Sequence, residues 1–231
     1  MTIVVLTGAG ISAESGISTF RDANGLWHNH RIEEVASPEG WRRNPELVLD
    51  FYNQRRRQLF DVQPNAGHLA ITELQRYFDV QVITQNVDDL HERAGNRNVL
   101  HLHGELRKVR SERHPELVYD WDKDLHLGDL CERGAQLRPH IVWFGEEVPM
   151  LPVAAQWAQK ADIFLIVGTS LQVYPAAGLM MYADPEIPFI YIDPNPQVND
   201  VLAQMPNLSV IDQPATIGLP GVVEALRNRT R

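Results

Sequence analysis

The sequence predicts an α/β fold, a doubly wound parallel sheet carrying a small inserted second lobe. Three observations predict it. Short apolar runs recur along the chain and read as strands covered on both faces. The first run closes in a glycine turn, Gly8-Ala9-Gly10-Ile11-Ser12-Ala13. Helical patterns separate the runs, except where two polar stretches break the rhythm.

Residues 3–6 form the first predicted strand, and the glycine turn leads into a helix. The first polar stretch, 28–64, holds a helix over 44–60. Asn44 can cap it and Pro45 suits its first turn. The pattern over 66–78 predicts a helix with Ala66, Leu69, Ala70, Leu74 and Phe78 near one face. Strands follow at 80–84 and 99–102. The second polar stretch, 105–138, is weakly periodic; Tyr119, Trp121, Leu125, Leu127 and Leu130 can give it a small apolar cluster. Strands at 163–167 and 189–192 complete the set, with shorter helices at 152–160 and 222–227. Prolines at 185, 188, 194 and 196 punctuate the loops around the penultimate strand. One domain is expected over 1–231. Its core would comprise about 1–27, 65–104 and 139–231, and its small lobe about 28–64 and 105–138.

The chain has 231 residues, 44% hydrophobic and 22% charged, which excludes a disordered chain or a fibrous repeat. Lys and Arg number 21 against 30 Asp and Glu, a net charge of −9, so no specific nucleic-acid partner is expected. The single cysteine, Cys131, excludes an internal disulfide and any zinc site needing two cysteines, and it suits a reducing compartment. Apolar runs reach about six residues where a membrane span needs about 18. Met1 leads into Thr2-Ile3-Val4-Val5-Leu6 without a basic leader. A cytoplasmic protein without a membrane partner is the expectation.

The glycine turn lets a backbone approach a pyrophosphate, and plain packing is the bland alternative. A hydride-transfer enzyme also places an acidic residue at the end of a second strand about 20 residues on. Here Ser18-Thr19-Phe20-Arg21-Asp22-Ala23-Asn24-Gly25-Leu26-Trp27 reads as a loop. The turn therefore points to a dinucleotide bound in another way. Thr84-Gln85-Asn86-Val87-Asp88 follows a strand, where open α/β sheets bind ligands. An amide pair and a carboxylate can hold a carboxamide; a helix cap before 90–93 is the alternative. In His101-Leu102-His103-Gly104-Glu105 the two histidines share a strand face. An imidazole suits a general base at neutral pH.

Together these segments resemble the sirtuins, the NAD-dependent protein deacylases. The matching pieces are Gly8 to Ser12, Gly16-Ile17-Ser18-Thr19-Phe20-Arg21, Thr84 to Asp88, His101 to Glu105, Val142-Trp143-Phe144-Gly145-Glu146 and Gly168-Thr169-Ser170. They span about residues 2 to 225 in the family's order. The resemblance implies a Rossmann-like core and a lysine deacylase that yields nicotinamide and O-acyl-ADP-ribose. It implies His103 as general base, with Asn86 and Asp88 at the nicotinamide and Gln85 at the ribose. It implies Gly8, Ala9, Gly10, Ile11, Ser12, Phe20, Arg21 and Trp27 around the dinucleotide, and Gly168, Thr169 and Ser170 on the adenosine side. Asp193 stands where the family usually has a ribose-binding asparagine, and Ala215 where it meets the adenine. Val142, Phe144 and Gly145 would meet an acylated peptide, partly as an added strand.

Tyr52 and Arg55 are three apart on the predicted helix and share a face. They resemble the pair that recognises the distal carboxylate in the branch removing succinyl, malonyl and glutaryl groups, and Ala36 resembles the small residue widening that pocket. A solvated basic face over 55–57 is the alternative. Most sirtuins hold a structural zinc with four cysteines, which this chain lacks. Cys131 resembles a remnant of one ligand, His114 and His126 complete no zinc pattern with it, and no metal is expected. Mono-ADP-ribosyl transfer and a catalytically silent NAD sensor are the rival functions.

Overall fold

The computed structural model describes residues 1–18, 26–27 and 30–228, with the backbone alone at 26–27. In chain order the elements are β1 (Thr2–Thr7), α1 (Gly10–Ala13), β2 (Leu26–Trp27), β3 (His30–Arg31), α2 (Ile32–Val35), α3 (Pro38–Arg43) and α4 (Pro45–Asp61). Then come α5 (Ala66–Leu74), β4 (Asp79–Thr84), α6 (Leu90–Arg93), β5 (Val99–His101), β6 (Gly104–Ser111), β7 (Val118–Asp120) and β8 (Leu137–Ile141). The chain continues through α7 (Leu151–Ala158), β9 (Ile163–Val167), a 3-10 helix (Ala176–Tyr182), β10 (Phe189–Ile192), α8 (Asp200–Ala203), β11 (Leu208–Ile211) and α9 (Ala215–Asn228).

The main sheet has the order β11-β10-β9-β1-β4-β5, and every pairing in it is parallel. From β1 the chain moves outward to β4 and β5, then returns to build β9, β10 and β11 on the other side. The reversal point lies at β1, and a crevice opens at the carboxyl edge of such a switch. Strand alternation feeds two cores. Val4 and Leu6 join Phe164, Ile166 and α7 on one face, while Ile3 and Val5 join Val80, Val82, α5 and α9 on the other.

A separate antiparallel sheet, β7-β6-β8, packs with α2, α3 and α4. Their shared cluster includes Val35, Trp41, Phe51, Tyr52, Val109, Leu125 and Trp143. Leu127 and Leu130 lie exposed, against the expectation; the lobe is filled from the helices instead. Cys131 is buried there with its thiol 3.4 Å from the Ser111 hydroxyl. Among the described residues no group of three or more His, Cys, Asp or Glu is arranged to hold a metal ion, and no helix is long and apolar enough to cross a membrane.

Three elements differ from expectation. α5 stops at Leu74; it turns His68 and Ile71 inward and leaves Leu69 exposed. α9 starts at Ala215 and runs through Pro220, because Leu219, Val222, Val223 and Leu226 all bury against the sheet. β11 is an edge strand whose mixed Leu-Ser-Val-Ile pattern gives little periodic signal.

Candidate active site

Four strand ends converge at the switch point. After β1, the Gly8 and Gly10 N–H groups donate to the Val167 and Gly168 carbonyls at 3.0 and 2.8 Å. A side chain at Gly10 would sit 2.7 Å from Gly168 Cα. These glycines thus first serve the close approach of two loops. Asn65, the N-cap of α5, fastens the turn from behind by donating to the Ile11 carbonyl at 2.7 Å.

After β4, Gln85 Nε2 donates to Thr169 Oγ1 at 3.0 Å, joining the β4 and β9 ends. Asn86 Nδ2 donates to Ser12 Oγ at 3.1 Å, and Ser12 Oγ donates to Asp88 Oδ2 at 3.0 Å. The other Asp88 oxygen accepts from the Leu90 N–H at 3.2 Å, a local turn just ahead of α6, whose N-cap is Asp89. Burial pushes the Asp88 carboxyl up to about 6, although the Leu90 and Ser12 donors oppose it.

After β5, His103 Nδ1 lies 3.0 Å from the Gln85 carbonyl. A carbonyl only accepts, so Nδ1 carries the proton and Nε2 keeps its lone pair. Burial holds the ring below the ordinary histidine value despite that bond, leaving it neutral at physiological pH. Gly104, at φ 85°, turns the chain immediately afterwards, and a side chain there would collide with the His140 carbonyl.

On the small lobe, Tyr52 and Arg55 lie buried on α4. Trp143 Nε1 donates to the Tyr52 hydroxyl at 3.0 Å, and the Trp143 ring also meets Trp41 and the Arg138 guanidinium. Glu146 accepts from Arg138 and from the Trp143 N–H, fixing that turn. Burial pulls Arg55 down to about 10, so it remains a cation at neutral pH. Arg55 and Arg56 point inward and only Arg57 pairs outward, with Asp124, so the basic run is not a solvated face. The Phe144 N–H donates to the Ala36 carbonyl at 3.0 Å, so Ala36 adjoins the same turn.

A Sir2 family model matches residues 8–175. An NAD-dependent protein deacylase from Helicobacter pylori (strain J99) is 63% identical over 192 residues, 83% of this chain and 82% of its own length. The chain belongs to the Sir2 family. Among solved structures, a Sir2 homolog–NAD complex superposes with a TM-score of 0.88 at 39% identity, covering 100% of this chain and 91% of that one. A Sir2 protein bound to acetylated peptide gives 0.79 at 27% identity, covering 98% and 93%.

The other expected positions of this Sir2 chain distribute as follows. Ile11 and Ser12 are fully buried, and Ala9 is half-buried. Phe20 and Arg21 lie outside the described residues, and Trp27 is described by its backbone in β2 alone. Ser170 adjoins Thr169 beyond β9. Asp193 follows the end of β10, and one of its carboxylate oxygens accepts from the Asn195 N–H at 2.8 Å. Ala215 opens α9 with its methyl buried in the core beside Gly67 of α5. The Val142 and Phe144 N–H groups donate to the His103 and Ala36 carbonyls, so an added strand has to use other groups on this turn. Phe144 itself is exposed, whereas Val142 is half-buried and Gly145 exposed.

Behind the site lies a polar layer that the sequence pattern does not signal. His68 and His91 are fully buried, with ring centroids 5.0 Å apart. His91 Nε2 meets the Thr7 hydroxyl at 3.0 Å, and Thr7 meets Thr84 at 2.8 Å. A lone histidine on a helix reads as surface; the usable signal was the capping asparagine three residues before His68.

Proposed function

We infer that this chain is an NAD-dependent protein-lysine deacylase, and we propose that it favours acyl groups ending in a carboxylate. The observation supporting the chemistry is the meeting of His103, with its acceptor nitrogen, and the Asn86–Ser12–Asp88 chain at one sheet edge. The site suits the dinucleotide by its donor set: an amide and a carboxylate linked through one hydroxyl match the acceptor and donors of a carboxamide. When bound, NAD supplies the ribosyl carbon that leaves nicotinamide and receives the acyl oxygen. In this reading Asn86 and Asp88 hold the carboxamide and Gln85 orients the ribose. His103 Nε2 removes a ribose hydroxyl proton, while its Nδ1–H stays on the Gln85 carbonyl. The turns at 8–12 and 168–170 border the phosphates and adenosine, Asp193 takes the adenosine ribose and Ala215 the adenine, while Phe20, Arg21 and Trp27 enter this reading only through the family resemblance. Val142, Phe144 and Gly145 border the peptide.

Ala36, Tyr52 and Arg55 form the acyl end. Trp143 donates to the Tyr52 oxygen, so the phenol's own proton serves an acceptor, and Arg55 offers a cation to a carboxylate. A net charge of −9 argues against a nucleic-acid partner, and a single cysteine suits a reducing, cytoplasmic setting. We read 28–64 and 105–138 as one inserted lobe that closes over this edge.

The test is a panel of succinyl-lysine and acetyl-lysine peptides with NAD, for wild type and Arg55→Met. A lost charge-assisted hydrogen bond is worth about 1.5–3 kcal/mol, so kcat/KM on succinyl peptide should fall about tenfold to a hundredfold, with acetyl peptide within about twofold. Equal loss on both peptides would remove the carboxylate preference. Absence of nicotinamide release by the wild type on either peptide would remove the deacylase reading itself.

A further inference from the structure

His101 ends β5 and His103 follows it, and the two rings reach the neighbouring Asn86 and Gln85 carbonyls, yet their surroundings differ. Among the described residues His103 meets a single acceptor, the Gln85 carbonyl. His101 meets two. Its Nδ1 lies 2.9 Å from the Asn86 carbonyl and its Nε2 lies 2.8 Å from Glu92 Oε1 on α6. A neutral imidazole has one N–H and would set a lone pair against an acceptor oxygen at one of these contacts. The ring satisfies both only with two protons.

We propose that His101 and Glu92 form a charged positioning pair, which pins the Asn86 carbonyl and holds a positive charge against the turn that carries Asp88. The proposal rests on the reading of Asp88 as a nicotinamide contact given above. Burial pulls the His101 ring down, but the Glu92 carboxylate and the Asn86 carbonyl outweigh it, leaving the ring above the ordinary value. The neighbouring charges come from several elements. Glu105 on β6 also favours the cation. His91 on α6 is held neutral, first by burial and then by His68 and His101. Asp88 lies in the intervening turn, where the His101 charge lowers its carboxyl and Asp89 raises it. Asp89 is itself engaged by Arg93 and Arg107. Asp88 therefore stands close to titration, held toward the ionised form first by the Leu90 and Ser12 donors and then by the His101 charge.

Glu92→Gln separates charge from shape. The amide nitrogen can donate to a neutral His101 Nε2, whose Nδ1–H still reaches Asn86. NAD affinity, measured by calorimetry from pH 5 to 8.5 without peptide, reads Asp88 apart from the base His103. In Glu92→Gln the acidic loss of affinity should move upward by about half a unit or more, with affinity at pH 8.5 within about twofold of wild type. His101→Gln should move it alike, and the double variant no further. Nitrogen chemical shifts of the wild type at pH 7.5 should show two protonated nitrogens for His101 and one for His103. A neutral His101, an unmoved acidic limb, or a loss equal at every pH would overturn the pair. Wild-type protein without NAD binding would instead overturn the underlying assignment of the site.

Discussion

At the scale of single residues, hydrogen-bond accounting decides chemistry that residue type leaves open. His101, His103, His68 and His91 are four imidazoles around one sheet edge, and each has a different set of partners. His103 alone combines a half-buried position with a tautomer that leaves Nε2 able to take a proton. His103→Ala should therefore lower kcat by about 10²- to 10⁴-fold, the ordinary worth of a general base. NAD affinity should stay within a few-fold, because the Asn86–Ser12–Asp88 chain is untouched. Single-turnover kinetics beside calorimetry separate the two. A comparable loss of NAD affinity would make His103 a binding residue instead.

At the scale of elements, the legible parts are those whose signals are local. The strands Ile163–Val167 and Phe189–Ile192 match their apolar runs residue for residue. The long helix α4 begins at Pro45 with Asn44 accepting from the Leu47 N–H at 3.1 Å, as the cap pattern foretells. This helix carries Tyr52 and Arg55, the pair proposed for the acyl end. Asn44→Ala should cost about 1 kcal/mol, which for a chain of this size lowers Tm by roughly 2–4 °C. The succinyl-to-acetyl preference should not change, since the cap lies two turns from Tyr52. A changed preference would show that the cap positions the pocket. What local signals cannot show is partnership across the chain. The small lobe takes its core from α2–α4 as well as β6–β8, which is why Leu127 and Leu130 look buried in sequence and are exposed in space. α9 runs through Pro220 for the same reason, since burial of one face outweighs the break that proline signals. The site was legible where glycines and polar clusters sit at strand ends. The His68–His91 layer and the Glu92 contact were not, because each joins residues whose own segments look unremarkable.

At the scale of the molecule, that buried layer ties stability to pH. His68 Nδ1 accepts from the Asn65 N–H at 3.3 Å, so a proton added there would face a donor. Burial pulls His68 down to about 4, and His91 well below its ordinary value. Burial, reinforced by Arg110, takes His140 on β8 to about 4 as well. Each of these rings binds a proton more readily in the unfolded chain. Their stabilisation is fully present above about pH 6.5 and is lost as the pH falls toward their native values. For His68 the span corresponds to roughly 3 kcal/mol. Two groups act in the opposite sense. Asp88, raised to about 6, and His101, raised above its ordinary value, bind protons more readily in the native state, so they favour folding as the pH falls. Asp88 gains only below about 6, after the histidines have begun to protonate in the unfolded chain. The balance predicts a Tm that falls by several degrees between pH 7.5 and 5. His68→Gln should flatten that slope while lowering Tm at every pH. Thermal melts of both proteins across the range check this, and a slope unchanged by the substitution would transfer the acid sensitivity to groups outside the buried layer.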